Sequence, residues 1–183
     1  AIRLDGSELA HFDPLALGGS IGYLPQTVEL LDGTIAENIC RFSPRHDTPA
    51  ILKAAKAARV HDFIITLPNG YETHLGINGS ALSAGQRQRI GLARALYGDP
   101  FLNVLDEPNS NLDMEGDQAL TEAIADARER GAIVVVVAHR PSAIAAINKL
   151  LFLRDGRQVA FGNKDSVLLQ ISTPQTIVRK QSA

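Results

Sequence analysis

Phe101-Leu102-Asn103-Val104-Leu105-Asp106-Glu107-Pro108 passes from an apolar strand to adjacent carboxylates and a proline, and Asn109-Ser110-Asn111-Leu112-Asp113 follows as a polar turn. The next periodic segment, Glu115 to Glu129, has the spacing of a helix, and Ile133 to Val137 is again a strand. Strand, helix, strand implies a right-handed crossover between parallel strands. The unbroken run Val134 to Val137 predicts a strand covered on both faces. An α/β fold is expected, with Asp106 and Glu107 just beyond the carboxyl end of a strand, where open parallel sheets gather their ligands.

Working outward, Ile21 to Leu24 reads as a short strand stopped by Pro25. From Thr34 to Leu67 the texture is helical, with Thr34 and Glu37 spaced as a capping box and Ile51, Ala54, Ala55 and Ala58 as an apolar stripe. A glycine-rich connector, Gly70 to Gly79, leads into a helix predicted from Ser83 to about Tyr97. Toward the end, Leu150 to Leu153 and Gln158 to Phe161 flank Arg154-Asp155-Gly156-Arg157, and Asp-Gly between apolar strands predicts a hairpin. Ser172 to Ala183 is polar and reads as a tail. Ala1 to Asp5 reads as a strand without initiator methionine or signal hydrophobic region, which suggests truncation.

Composition narrows the function classes. With 183 residues, 45% hydrophobic and 21% charged, the chain buries one substantial core. A net charge of −2 provides no global positive field for nucleic acid. The longest aliphatic run, Ala132 to Ala138, is far short of the roughly 20 residues that cross a bilayer as a helix and reads as a buried strand. Cys40 is the single cysteine, which excludes an internal disulfide framework and fits a reducing compartment.

Candidate chemistry centres on the strand ends. Hydrolytic phosphoryl transfer uses one carboxylate to hold magnesium and another group to orient the attacking water. Asp106 fits the first role and Glu107 the second, although Asp-Glu-Pro alone is also a plain polar stop. His139, following the valine strand, should emerge on the same edge as Glu107 and can donate to a phosphate oxygen. Gln26, after the Ile21 to Leu24 strand, offers its amide to magnesium and water, or is an ordinary loop glutamine. Ser83-Ala84-Gly85-Gln86 is a capping box, and the same geometry leaves amides at a helix start for an anion. Arg87 and Arg89 read as a solvated or salt-bridged face, with Arg94 adding positive character. No Gly-x-x-x-x-Gly-Lys-Ser/Thr phosphate loop occurs in the sequence.

In order, Gln26, Leu82 to Gln86, Leu105 to Pro108, Asn111 to Asp113 and His139 resemble the Q-loop, signature, Walker B, D-loop and H-loop of ATP-binding cassette (ABC) ATPases. The interval from Gln26 to Ser83 has room for a small helical subdomain but not for the long coiled coil of chromosome-maintenance relatives, so transporter cassettes are favoured. Thr73 to Gly79 is similar to the exporter segment that touches the coupling helices of the membrane domain, with Ile77 and Asn78 replacing the Glu-Arg pair common there. Ile21 to Gln26, Asp32 to Ile39 and Asp106 to Asp113 resemble the ATPase-permeases of bacterial type I protein secretion. Ala84 replaces a more usual glycine. Asn103 stands where the family has an aliphatic residue, and a buried amide there needs partners.

The resemblance implies an incomplete P-loop NTPase-like (RecA-like) core over 1–29 and 100–170, a helical signature subdomain over 30–99, and a flexible tail over 171–183. It implies ATP and Mg2+ as cofactors, Glu107, His139 and Gln26 as catalytic, Ser83, Ala84, Gly85, Gln86 and Asp113 as nucleotide-binding, and Asp106 and Gln26 as metal-binding. It further implies a head-to-tail dimer with a second ATPase domain, a transmembrane exporter domain, a membrane fusion protein and an outer-membrane channel, at the cytoplasmic face of the bacterial inner membrane, without nucleic acid. Without a phosphate loop the chain alone is expected to be inactive. The alternatives are a nonenzymatic interaction module and the ATPase of a soluble ABC protein.

Overall fold

Tight turns and side-chain caps set most element boundaries in the computed structural model, which describes residues 2–76, 79–139 and 144–172. β1 (Arg3–Leu4) and β2 (Ser7–Glu8) form a small hairpin around Asp5 and Gly6, both at positive φ. α1 (Pro14–Ser20) starts at a proline, and Asp13 accepts from the Leu15 and Ala16 amides. β3 (Ile21–Leu24) follows directly. α2 (Ile35–Ile39) opens with the expected Thr34–Glu37 capping box, both reciprocal bonds present. α3 (Thr48–Ala57), capped by Asp47, buries Ile51, Ala54 and Ala55, and α4 (His61–Thr66) buries Ile64. α5 (Ala84–Leu96) is capped by Ser83 with Gln86 reaching back. β4 (Leu102–Asp106), α6 (Met114–Glu129) and β5 (Ile133–Val137) complete the expected crossover.

The chain divides into two compact units, 1–146 and 147–183. In the first, β3, β4 and β5 form a parallel sheet in that order, with Leu24 opposite Leu105 and Leu105 opposite Val136. Leu24, Leu105, Val134 and Val136 face one hydrophobic core with the helices α2, α3, α5 and α6, so the helical segment and the sheet share that core. The other face departs from expectation. Ile133, Val135 and Val137 are 48%, 46% and 53% exposed, and Tyr23 lies on the same face. Among the described residues, helices pack on one face of β5 only, and the other face of its apolar run is half-exposed. No described helix is long and apolar enough to cross a membrane.

Two polar side chains tie this unit together from inside. Arg41, at φ +58, donates to the carbonyls of Gly18, Ile21, Arg94, Ala95 and Tyr97, fastening the end of α2 to the ends of α1 and α5 and the start of β3. Burial pushes its pKa down. Asn103 in β4 is buried and donates Nδ2 to Pro100 O at 3.2 Å, while its Oδ1 has no partner. The partners needed by an amide in this strand are thus only half supplied.

In the second unit, β6 (Lys149–Arg154) and β7 (Arg157–Asn163) form the expected hairpin. Asp155 and Gly156 both lie at positive φ, as a two-residue primed turn requires. α7 (Lys164–Ser172) covers one face of the hairpin and buries Val167. Helix continues to Ser172, and the remainder of the predicted tail lies outside the described residues.

Candidate functional site

The parallel register brings β3, β4 and β5 to a common carboxyl edge, and the candidate residues emerge there. Asp106 is the last residue of β4, paired with Val137 at the end of β5. Glu107 turns the chain out of the sheet at φ +46, a left-handed conformation that costs a residue with a side chain about 1–3 kcal/mol. Its amide donates to Val137 O at 2.8 Å, and the Ser110 amide closes a turn onto Glu107 O at 3.1 Å. This geometry carries the Glu107 side chain toward the end of β5. His139 meets it there, Nδ1 lying 3.0 Å from Glu107 Oε1. The Glu107 side chain is 24% exposed and His139 66%, so the pair is anchored on the carboxylate side and open on the imidazole side.

The signature helix packs against the loop that follows. Gly85 has its Cα pressed against the Asn111 carbonyl, since a Cβ there would lie 3.1 Å from that oxygen. Gln88 is buried and donates Nε2 to Pro108 O at 3.1 Å. Arg89 donates to Asp113 Oδ1 at 2.5 Å and to Arg59 O at 3.1 Å, with its side chain 15% exposed. Of the readings open for Arg89, the salt-bridged face is the one found. Arg87 caps backward onto Leu82 O, and Arg94 donates to Glu29 O. Asp113 is also the cap of α6, accepting from the Gly116 amide at 2.9 Å. That backbone bond, then the Arg89 guanidinium, hold the Asp113 carboxyl below its ordinary range.

The remaining candidates are placed but not joined. Gln26 is exposed, just past the end of β3 and thus beside the β4 edge, and no hydrogen bond links it to Asp106, Glu107 or His139. Ser83 and Gln86 satisfy each other, while the Ala84 and Gly85 amides precede the first intrahelical bond, Arg87 N–H to Ser83 O. The segment before the signature is pinned by backbone bonds from Ile35 N to Thr73 O and from Leu75 N to Gly33 O. Ile77 and Asn78 lie outside the described residues.

The donor chemistry suits part of a magnesium nucleotide. Hard oxygen donors from Asp106 and Gln26 sit on neighbouring strand ends, and magnesium accepts a few such groups while keeping its waters. Helix-start amides at Ala84 and Gly85 suit a phosphate oxygen. Among the described residues, no group of three or more acidic, histidine or cysteine side chains is arranged to hold a metal ion. Sequence reading missed Gln88 and the Arg89 partner. The only available signal was a glutamine one turn before the apolar Leu92 on α5.

Comparison with known proteins shows the family. Residues 1–110 match the family model described as ABC transporter. The chain is 60% identical over its whole length to the type I secretion system ATP-binding protein PrsD of Rhizobium meliloti (strain 1021), spanning 31% of that protein. It is 40% identical, over 92% of its length and 28% of the relative's, to the ATP-dependent lipid A-core flippase of Saccharophagus degradans. A solved bacterial Atm1-family ABC exporter with ATP bound superposes with a TM-score of 0.82 at 32% identity, covering 92% of this chain and 29% of that one. With the motif series, its sheet-edge geometry and the family match in agreement, this chain belongs to the ABC transporter family.

Proposed function

We propose that this chain is part of the ATP-hydrolysing domain of an exporter that drives type I protein secretion. The observation that carries the reading is the Glu107–His139 pair at the carboxyl edge of the parallel sheet, 3.0 Å apart. The extent of identity to a type I secretion ATP-binding protein supports the subfamily. Magnesium-ATP, when bound, supplies the electrophilic terminal phosphorus. Glu107 takes the proton of the attacking water as the new phosphorus–oxygen bond forms and the bond to the bridging oxygen breaks. His139 holds Glu107 through Nδ1. Donation from its Nε2 to a phosphate oxygen as well takes the imidazolium form, in which both nitrogens carry protons. Asp106 and Gln26 are the oxygen donors for the metal.

Ser83, Ala84, Gly85 and Gln86 present their helix start to the nucleotide of a second ATPase domain, and Asp113 couples the two sites. A transmembrane domain is the next partner, with a membrane fusion protein and an outer-membrane channel completing the pathway at the inner membrane. The 183 residues contain no lysine-bearing phosphate loop, so the chain alone holds nucleotide weakly and does not turn it over. In a version extended upstream to carry such a loop, Glu107→Gln is expected to lower ATP turnover by about 10²-fold or more, measured as phosphate release. Turnover unchanged by Glu107→Gln would overturn the assignment.

A further inference from the structure

We propose that Gln88 is a positioning residue for hydrolysis: its buried carboxamide holds the Pro108 carbonyl and thereby fixes the peptide that aims Glu107. This rests on the reading of Glu107 as the general base. Gln88 is 1% exposed, on a helix face it shares with the buried Gly91 and Leu92, three and four residues on. Burying an amide there is unfavourable unless it is hydrogen-bonded, and a leucine would fill the same space. The bond it makes, Nε2–H to Pro108 O at 3.1 Å, lands on the residue following Glu107.

That location matters because Glu107 is strained. Its left-handed backbone persists only where the surroundings over-determine it. The Glu107 amide is held by Val137 O, its carbonyl by the Ser110 amide, and the next carbonyl by Gln88. Pro108 has no N–H of its own to anchor the turn. Gln88 is therefore the point where the signature helix grips the turn from outside the sheet. Gly85 and Arg89, one helical turn apart and flanking Gln88 in sequence, touch Asn111 and Asp113 in the same loop. A displacement of the start of α5 thus reaches Glu107 within one chain.

The test is steady-state ATP hydrolysis by the full-length parent protein carrying Gln88→Leu, alone and combined with Glu107→Gln. Misplacing a catalytic group by about an ångström costs on the order of 10²-fold, so a fall in kcat of about 10- to 100-fold is expected, with KM within about twofold of the parent. In the Glu107→Gln background, Gln88→Leu should add almost nothing, because both changes remove the same step. Unchanged kcat overturns the proposal. So does a loss that adds fully to that of Glu107→Gln or that raises KM in step with a lowered melting temperature, since those mark a purely structural residue. Should Gln88→Leu not fold, the unbranched Gln88→Met is read by the same criteria. Failure of Glu107→Gln itself to lower turnover would strike the base assignment, a result distinguishable from the failure of Gln88.

Discussion

Asp113 shows how one carboxylate joins local structure to the site. Its Oδ1 caps α6 through the Gly116 amide and receives Arg89 from the signature helix, so the charged form stabilises both the cap and the loop. The folded-state pKa lies below the ordinary 3.8, first because of the Gly116 amide and then because of Arg89. A group lowered in this way contributes its stabilisation above the unfolded value and loses it as the pH falls through the folded one. Asp113→Asn is therefore expected to be less stable than the parent at neutral pH, with the difference shrinking as pH drops below about 4, measured as melting temperature against pH. A difference that stays constant across the acid range would contradict the account. Motif spacing made Asp113, Glu107 and His139 legible as candidates. It did not disclose that Arg89 would be the Asp113 partner, because a run of arginines on a helix reads equally well as a solvated face.

At the scale of elements, β3, β4 and α5 meet where Gly22 and Asn103 lie. A Cβ on Gly22 would sit 2.1 Å from Ala95 O and 2.7 Å from Asn103 Oδ1, so the end of α5 and the sheet approach too closely for any side chain. Gly22→Ala is expected to destabilise the chain by about 1–3 kcal/mol or more through forced backbone movement. Asn103→Leu, of similar shape, removes a buried oxygen without a partner but also the donor to Pro100 O, so the two effects offset and stability is expected to change by less than about 1 kcal/mol. Chemical denaturation of both variants checks the pair, and a loss in Asn103→Leu as large as that in Gly22→Ala would show that the bond to Pro100 O outweighs the orphaned oxygen. Elements set by neighbours in sequence were legible: the Thr34 and Ser83 capping boxes, the Asp155-Gly156 turn and the crossover around α6. Elements set by distant partners were not. Arg41 gathers carbonyls from α1, β3 and α5, and nothing next to it in sequence foretells that role. The half-exposed face of β5 was likewise hidden, since a valine run looks the same whether one face or both are covered.

For the whole molecule, the sheet edge presents Glu107, His139 and Asp106, and the start of α5 presents the signature, yet the sequence has no phosphate loop to hold the β- and γ-phosphates. The chain spans less than a third of the length of the relatives it matches, 31% of the type I secretion protein and 28% of the flippase. The fold class and the order of motifs were legible because they are carried by short local patterns over most of the chain. How the signature helix grips the loop after Glu107 was not, because it depends on side chains meeting across the core. In the proposed function, this chain brings hydrolytic and signature groups to a nucleotide whose phosphates must be held by a loop absent from the 183 residues. Titrating magnesium-ATP by calorimetry into this chain, and into a version extended upstream to include a phosphate loop, tests that most directly. Binding by the extended version with little or none by the 183-residue chain is the predicted result, and equal binding by both would contradict it.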